Sequence, residues 1–525
     1  MTTEWTKEEF EKINIGDERL NERAKRILRA ASKQPQASLN TMFCSRKEVQ
    51  ACYRFFSNNF VDESKIISPH LDKTIERISE HKVVLKLNDT TSLNFTTRKK
   101  LKDSGYISSN NAQGFFLHLG IAVTPDRLHL GVTDYKLWSR EKEKPKKTLH
   151  RDYKDLEEKE SYRWLQSYIE SSKLAAVCKN TQIVHITDRE GDIFEIFEEY
   201  QHTKKNSIAA DFIIRSKHNR SVYSDQKIPY CTWVKKSQSL KFFKFQEKHE
   251  NIHSGLDFNA TQKAIKPLKQ ELKKTKKLAK IRFKVANKEY KPLHDKLKSS
   301  KKLGEISFSI TKRDSNETRE VCQSVRATSI TLKSGEGEVA IEVQVNAIYL
   351  EETNPPAGEK PVIWRLLTSL PINTLEEILT VIKYYLCRWE IEIFFKTYKS
   401  GCKVEEKSLR DANRLFPLFS IFLIVAWRVN YLLHISRIAP EISCEVFFEP
   451  SEWKACYVAA TRDRQYPLDP PTMREMMGYV AKLGGHLGRK NDPEPGPKTI
   501  WIGISKLTHY ADAWDLFGPE VRHKT

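Results

Sequence analysis

The chain has 525 residues, which is long enough for roughly two to four domains with hydrophobic cores of their own. Its 39% hydrophobic and 30% charged residues are typical of a globular protein, and its formal net charge of +21 favours a polyanionic partner such as nucleic acid. Nine cysteines, without a CxxC pair or a Cys/His cluster, argue against a zinc module and a disulfide framework and indicate a reducing compartment.

Helical periodicity dominates the first 75 residues. In the stretch 17–28, Leu20, Ala24, Ile27 and Leu28 recur at helical spacing, and basic residues lie opposite them. A basic amphipathic helix suits the backbone of DNA, although an ordinary surface helix has the same pattern. The N-terminal segment is charged and lacks the apolar core of a signal peptide, so we expect a cytoplasmic protein.

A strand-like pattern begins at about residue 80. Short apolar runs bounded by turn residues predict strands, and helical spacing predicts helices at about 162–169 and 192–200. The predicted strands are 83–89, 114–123, 128–132, 182–188 and 211–215. This order predicts a mixed sheet with helices on its faces, and hence an α/β (α+β) fold.

Residues from about 220 to 363 form a separate piece that is rich in predicted strands. It also contains a lysine-dense stretch at 266–302, which is either a solvated arm or a contact for the DNA backbone. The predicted strands of this piece are 240–245, 281–285, 306–310 and 339–350.

Helices return after residue 364. Thr374 and Glu377 have the spacing of a capping box, so we predict that a helix begins there. The most apolar stretch, 415–433, contains Arg428 and Asn430, and its uninterrupted part is too short to cross a bilayer comfortably. We therefore predict a buried core helix at this position.

Two of the predicted strands end at aspartates, Asp89 and Asp188. In one sheet, their carboxylates would reach the same edge, where open sheets usually place their chemistry. Glu392, on a helix packed beside this edge, would complete a cluster of three carboxylates. Such oxygen ligands suit Mg²⁺ or Mn²⁺, and two ions about 3.5–4 Å apart promote phosphoryl transfer. The alternatives are a turn-forming Asp89 and an Asp188 that pairs with Arg189.

Glu392 also belongs to a stripe of four polar residues, with Tyr385, Arg388 and Lys399. On a continuous α-helix these positions fall within an arc of roughly 60° and span about 21 Å along the axis. The stripe would present a carboxylate, two cations and a phenol on one face, as an enzyme that holds both a metal ion and a DNA strand requires. A solvated helix face with intrahelical ion pairs is the alternative.

These segments resemble the three signatures of the insertion-sequence-4 family of DDE transposases, which includes the transposon Tn-five enzyme. The signatures are NDTTSL at 88–93, TDREGDI at 187–193, and Tyr385, Arg388, Glu392 and Lys399 at the family's Y-R-E-K spacing. Shorter similarities extend the resemblance over nearly the whole chain, at 53–55, 213–218, 354–356, 364–369 and 483–485.

The resemblance implies a ribonuclease H-like catalytic domain with a mixed five-stranded sheet, interrupted by a β-rich insertion. Because of the lysine-dense stretch, the insertion looks longer than in the Tn-five enzyme. The implied regions are a helical DNA-end recognition region (1–75), the catalytic core in two parts (76–220 and 364–434), the insertion (221–363) and a helical dimerisation region (435–525).

The resemblance also implies an activity. Members of the family excise a transposon by metal-dependent cleavage, through a hairpin at each end, and join its 3′ ends to target DNA. Asp89, Asp188 and Glu392 would hold two Mg²⁺ ions, for which Mn²⁺ can substitute. The implied partners are double-stranded DNA, as terminal inverted repeats and as target, and a second copy of the chain. The implied DNA-binding residues are Tyr385, Arg388, Lys399, Trp364, Arg215 and Lys217.

Within that set, Trp364 would stack on a base flipped out of the hairpin, and ordinary core packing is the alternative for this residue. Two alternatives to the whole activity keep the same fold. A related nuclease would cut DNA without strand transfer, and an inactive derivative would only bind DNA. In each case the expected location is the bacterial cytoplasm, in association with the nucleoid.

Overall fold

The structure of the protein is a computed structural model. It describes residues 3–43, 45–98, 100–108, 111–141, 159–223, 290–311, 318–333, 342–489, 492 and 494–518. The predicted strands 240–245 and 281–285 and most of the lysine-dense stretch lie outside these residues.

Helices and strands are numbered here in chain order. The α-helices are α1 (Thr3–Glu9), α2 (Glu18–Lys33), α3 (Arg46–Phe56), α4 (Glu63–Ser79), α5 (Tyr162–Val177), α6 (Phe194–Asn206), α7 (Leu293–Lys298), α8 (Leu375–Leu386), α9 (Trp389–Lys396), α10 (Ala412–Ile438), α11 (Pro450–Thr461), α12 (Met473–Leu483) and α13 (Pro497–Phe517). The strands are β1 (Val83–Asn94), β2 (Gly105–Tyr106), β3 (Gln113–Val123), β4 (His129–Trp138), β5 (Gln182–Thr187), β6 (Asp211–Arg215), β7 (Ser221–Tyr223), β8 (Tyr290–Pro292), β9 (Lys302–Thr311), β10 (Thr318–Lys333), β11 (Glu342–Glu352) and β12 (Ile363–Thr368).

The chain folds into two compact units. The first unit comprises Met1–Ile193, Thr203–Ile213 and Thr380–Thr525, and the second comprises Phe194–His202 and Ile214–Leu379. All three candidate acids therefore belong to the first unit, and the predicted β-rich insertion belongs to the second.

The N-terminal part of the first unit is helical, as predicted. Helix α2 begins where the Asp17 carboxylate accepts a 2.8 Å hydrogen bond from the N–H of Arg19. The face of α2 that carries Ala24, Ile27 and Leu28 is fully buried. The spacing of these apolar residues thus determines which side of the helix packs inward.

The sheet of the first unit is mixed, as predicted. Its strand order is β2-β3-β1-β5-β6, with β4 paired to β3, and the last two residues of β6 belong to the second unit. Strand β1 runs antiparallel to β3 and parallel to β5. Apart from the two-residue β2, five strands form this sheet among the described residues.

The prediction that the first strand ends at Asp89 is wrong. Parallel pairing with β5 stops at Asn88, opposite Thr187, but antiparallel pairing with β3 continues as far as Asn94. The residues that follow the aspartate are β-branched threonines, which fit a strand well. Asp89 therefore lies inside β1, at the point where one neighbouring strand ends and the other continues.

Helix α10 is the core helix of the first unit, as predicted for the stretch 415–433. It is long and apolar enough to cross a membrane by length and composition, but 89% of its most apolar window is buried. It packs against α4, β4, α12 and α13. The all-round hydrophobicity of α10 thus reflects burial on every side within the protein.

The second unit is an antiparallel arrangement of strands in the order β12-β11-β10-β7-β8, with β9 paired to β10. The sixteen-residue strand β10 is absent from the predictions. Its buried apolar side chains fall on odd positions at Val321 and Val325 and on even positions at Ile330 and Leu332. An irregularity in its pairing with β9 lies between Val325 and Arg326. Because the buried positions change from odd to even along β10, the sequence lacks the regular alternation of apolar and polar residues that identifies a strand.

An aromatic cluster joins α10 to the sheet of the first unit. The ring centre of Phe419 lies 5.9 Å from that of Phe95 and 6.3 Å from that of Phe115. All three rings are essentially inaccessible to solvent. Edge-to-face and tilted contacts of this kind add to the hydrophobic stabilisation of the core.

We expect Phe419→Ala to lower the free energy of unfolding by about 3–5 kcal/mol, because it leaves a cavity inside this cluster. Chemical denaturation of the variant and the wild type measures the difference. Phe517→Ala, at a side chain that is 74% exposed, is the matched control and should change stability by less than about 0.5 kcal/mol. Equal effects of the two substitutions would show that the cluster does not stabilise the fold.

Candidate active site

Two aspartates meet at one edge of the sheet in the first unit. Asn88 of β1 pairs with Thr187, the last residue of β5, so Asp89 in β1 and Asp188 directly after β5 occupy the next positions along the two chain segments. Asp188 opens a short 3-10 turn, where its Oδ1 accepts a 2.8 Å hydrogen bond from the N–H of Glu190. A Cβ atom on Gly191 would lie 2.4 Å from Thr187 Oγ1, so this turn requires glycine.

The Asp89 carboxylate is largely buried, with 18% of the side chain exposed. Its Oδ1 accepts a 2.7 Å hydrogen bond from the N–H of Thr90, and its Oδ2 lies 3.5 Å from Arg388 Nη1. Burial raises the pKa of Asp89 to about 7, and the charges of Asp188 and Glu392 add to the increase. The structure thus brings the three carboxylates together.

The four residues of the Y-R-E-K stripe do not lie on one continuous α-helix. Tyr385 is near the end of α8, which stops at Leu386. In the following turn, the N–H groups of Cys387 and Arg388 donate to carbonyls three residues back.

Glu392 is on the next helix, α9, and Lys399 is in a π-helical turn, Thr397–Gly401. The tight and the wide turns change the rotation per residue, so the prediction that one continuous α-helix carries all four residues is wrong.

Arg388 bridges two of the three acids. Its Nη2 donates a 2.5 Å hydrogen bond to Glu392 Oε1, while its Nη1 faces Asp89. Only 7% of the residue is exposed. Burial by itself would lower the pKa of Arg388, but Glu392, Tyr385 and Asp89 raise it. Helix α9 packs on β1, so this ion pair orients Glu392 towards the aspartates.

The other two residues of the stripe lie on either side of Arg388 in the sequence. Tyr385 is 4% exposed. Lys399 Nζ donates a 2.8 Å hydrogen bond to the carbonyl of Ser92, and lies 3.6 Å from Glu405 Oε1. Lys399 thus lies along β1, beside the residues that follow Asp89.

A buried polar network surrounds the strand residues just before Asp89. Lys86 Nζ lies 2.6 Å from Asp134 Oδ1 and donates a 2.8 Å hydrogen bond to the carbonyl of Ser167. Asn88 Nδ2 lies 3.0 Å from His185 Nδ1 and so connects β1 to β5. Burial lowers the pKa of Lys86, and Asp134 opposes this effect. The network fixes the relative position of β1, which carries Asp89, and β5, which ends directly before Asp188.

The remaining predicted DNA-binding residues belong to the second unit. Trp364, on β12, is 8% exposed and stacks on Phe308 with ring centres 5.2 Å apart. Arg215 Nη2 donates a 3.2 Å hydrogen bond to the carbonyl of Ile363, the residue that directly precedes Trp364. Lys217 is exposed.

One aromatic residue next to the site is absent from the sequence predictions. Trp389 directly follows Arg388 and is 46% exposed. The guanidinium carbon of Arg388 lies 5.1 Å from the centre of its ring. The sequence signal for this residue is an aromatic side chain adjacent to the arginine of the stripe.

A small cavity beside the residues that follow Asp89 was likewise not predicted. Residues 90–92 line one part of it. Phe116 and Trp138 also line it and stack with ring centres 5.2 Å apart, and the guanidinium of Arg140 lies 4.2 Å from the ring of Phe116. Stacked rings with an arginine suit contact with a nucleobase.

Three family models match the chain. Residues 2–61 match the model described as transposase DNA-binding, residues 200–427 match the transposase DDE domain, and residues 424–515 match the transposase Tn5 dimerisation domain. The chain belongs to the Tn5-like DDE transposases. The transposase binds transposon DNA, forms homodimers and has a ribonuclease H-like catalytic fold.

The DDE match also establishes the type of chemistry. The transposase cleaves phosphodiester bonds and transfers DNA strands with the help of divalent metal ions. As an enzyme that acts on DNA it is expected in the cytoplasm. The match includes Glu392 but begins after Asp89 and Asp188, so the roles of the aspartates depend on the geometry described above.

We expect Asp89→Asn to stabilise the metal-free transposase at pH 8. The pKa of Asp89 is raised from 3.8 to about 7 in the folded chain, so its ionisation costs stability as the pH rises from about 4 to about 7. The gain at pH 8 should reach at most about 4 kcal/mol and should vanish towards pH 4.

Denaturant unfolding with EDTA at several pH values measures this gain. Asp126→Asn, at a carboxylate that is 73% exposed, is the control and should give no gain. If the wild type and Asp89→Asn are equally stable at pH 8, burial and the neighbouring acids do not raise the pKa of Asp89 as described.

Proposed function

We propose that Asp89, Asp188 and Glu392 hold two Mg²⁺ ions, for which Mn²⁺ can substitute. The observation that supports this is the convergence of three carboxylates with one guanidinium among them. When all three acids are ionised, one arginine leaves an excess of about two negative charges, which a divalent cation neutralises. Carboxylate oxygens are the ligands that Mg²⁺ prefers.

Bound divalent ions would activate an attacking oxygen and stabilise the charge on the leaving one. The residues of the protein supply positions for these ions and for the DNA. Asp89 is held on the sheet by pairing with β3. Glu392 is held by Arg388, which has further N–H groups in its planar fork for a phosphate. Tyr385 and Lys399 would extend the phosphate-binding surface, and the contact with Ser92 places Lys399 along β1.

We further propose that the transposase works by a cut-and-paste route with a hairpin at each transposon end. Trp364 would stack on the flipped base, and Arg215 and Lys217 would contact the DNA backbone. The hydrogen bond from Arg215 to the carbonyl of Ile363 supports this grouping, because it places a cation next to the strand residue that precedes Trp364. A hairpin requires a base to leave the stack, and an indole ring is a good platform for it.

The domain boundaries are part of the same proposal. Residues 1–75 recognise the terminal inverted repeats, 76–220 and 364–434 form the catalytic core, 221–363 form the insertion and 435–525 form the dimerisation region. The matches at 2–61 and 424–515 support the two terminal assignments. In the cell, the transposase would act on its DNA in the bacterial nucleoid.

We expect Asp188→Asn and Glu392→Gln to reduce cleavage of a labelled transposon end by more than about 100-fold. Loss of even an outer-shell partner of a metal ligand costs about 10–100-fold, and these changes remove ligands themselves. Binding of the end should remain within a few-fold of wild type, as measured by gel shift in the presence of Ca²⁺.

Asp126→Asn is the control for this experiment, since it removes an exposed carboxylate that pairs with Lys383. It should cleave at the wild-type rate. Equal losses of cleavage and of DNA binding in the acid variants would contradict their role as metal ligands. Wild-type protein with Mg²⁺ should also join the excised 3′ end to a second duplex, and cleavage without joining would indicate a nuclease.

We expect Trp364→Ala to slow hairpin formation roughly 5- to 150-fold more than the first nick, since the loss of one stacked base costs about 1–3 kcal/mol. Gel electrophoresis of an end-labelled duplex separates the two products over time. Trp364→Phe, which keeps an aromatic ring against Phe308, should recover most of the rate.

Trp389→Ala tests the more exposed indole in the same assay. If both steps slow equally in Trp364→Ala, this residue serves only core packing. If Trp389→Ala slows hairpin formation selectively and Trp364→Ala does not, the base stacks on Trp389 instead.

A further inference from the structure

A second group of potential metal ligands lies in the first unit, apart from the three acids. It consists of His129 at the start of β4, Glu390 on α9 and His434 on α10. Both imidazole Nε2 atoms lie 3.2 Å from the same carboxylate oxygen, Glu390 Oε2. All three residues are at least 95% buried. The two rings face each other, with centres 4.9 Å apart and planes inclined by 20°.

The two oxygens of Glu390 have different partners. Oε1 lies 3.3 Å from Arg127 Nη1, on a side chain that is about half exposed. Oε2 faces the two imidazoles. A carboxylate that is held through one oxygen by an outer hydrogen-bond donor, with its other oxygen directed at two imidazoles, has the arrangement of a metal ligand with its supporting partner.

The same protein contains an ordinary buried carboxylate–histidine pair for comparison. His70 contacts Glu9 through Nδ1, and its Nε2 lies 3.0 Å from the N–H of Val132, so both ring nitrogens are satisfied. His434 differs, because its Nε2 makes no hydrogen bond among the described residues although Glu390 Oε2 lies only 3.2 Å away. A buried polar atom without a hydrogen bond requires an explanation.

We propose that His129, Glu390 and His434 bind one zinc ion. Two imidazole nitrogens and one carboxylate oxygen form a donor set that Zn²⁺ accepts, with the fourth position available to water. Ligands about 2.0–2.1 Å from a tetrahedral ion lie about 3.3 Å from one another, close to the two separations of 3.2 Å. Nitrogen ligands distinguish this site from the three-carboxylate site, which suits Mg²⁺.

Such an ion would connect three elements of the first unit. Glu390 precedes Glu392 by two positions on α9, but Glu390 is 1% exposed whereas the side chain of Glu392 is 37% exposed. Zinc on the buried face would tie α9 to β4 and α10, and so position the helix that presents Glu392. Glu390 and the histidines are then positioning residues, which do not touch the DNA.

The metal content of the purified wild-type protein tests the proposal directly. After exposure to one equivalent of Zn²⁺ and removal of free metal in buffer with 10 mM Mg²⁺, we expect about one zinc per chain. Zinc K-edge absorption should show imidazole nitrogen and oxygen ligands. Asp188→Asn, which alters the other site, should retain the zinc.

His434→Asn and Glu390→Gln should weaken zinc binding by more than about 100-fold in isothermal titration, and EDTA should lower the Tm of the wild type but not of these variants. His70→Asn is the matched control, because it disturbs the comparable pair with Glu9 without removing a proposed ligand. Should the ligand variants fail to fold, the absorption spectrum of the wild type decides. Zinc held without imidazole ligands, no zinc in the wild type, or equal binding by His434→Asn would overturn the proposal.

Discussion

The ion pairs of Arg388 determine whether the active site exists as a unit. Asp89 belongs to a strand and Glu392 to a helix, and the guanidinium between them is the contact that holds these two carboxylates close in the absence of a bound cation. Breaking these pairs is destabilising, because it leaves the guanidinium of Arg388 as an uncompensated charge in a residue that is only 7% exposed. Arginine suits the position better than lysine, since its planar fork reaches two carboxylates at once.

Even with this contact, the environment of Asp89 disfavours the charged form of its carboxylate. Burial raises the pKa of Asp89 to about 7, the other two acids add to this, and one guanidinium does not offset the increase. The fold tolerates this cost because the buried network around Lys86 and Asn88 holds β1 and β5 in register. The ionised carboxylates thus lower the stability of the fold at the site where negative charge is needed to bind a cation, as is usual for functional sites.

Local patterns predicted the elements that local forces determine. The capping box of Thr374 and Glu377, the inward face of α2 and the buried helix α10 were all correct from the sequence. Strand β10 was missed because its pairing irregularity shifts the apolar alternation by one residue. The stripe from Tyr385 to Lys399 was placed on one helix because sequence spacing does not reveal a tight turn followed by a wide one.

In the candidate site, too, residues with a local motif were predicted from the sequence, and residues that meet only in the folded chain were not. Asp188 and Glu392 carry recognisable motifs, so the sequence predicted them as partners of Asp89, and the structure brings the three together. The group of His129, Glu390 and His434 has no motif, since its members come from three distant segments that meet only in the folded chain. The exposed ring of Trp389 likewise depends on how α9 packs.

The extension of β1 beyond Asp89 has a mechanical consequence. A carboxylate inside a hydrogen-bonded strand cannot shift without breaking the pairing with β3, whereas Asp188 lies on a three-residue turn and Glu392 on a two-turn helix between irregular segments. Any rearrangement between successive strand cleavages must therefore come from the turn and the helix. Strand β1 thus provides a fixed reference point, relative to which the turn of Asp188 and the helix of Glu392 can move.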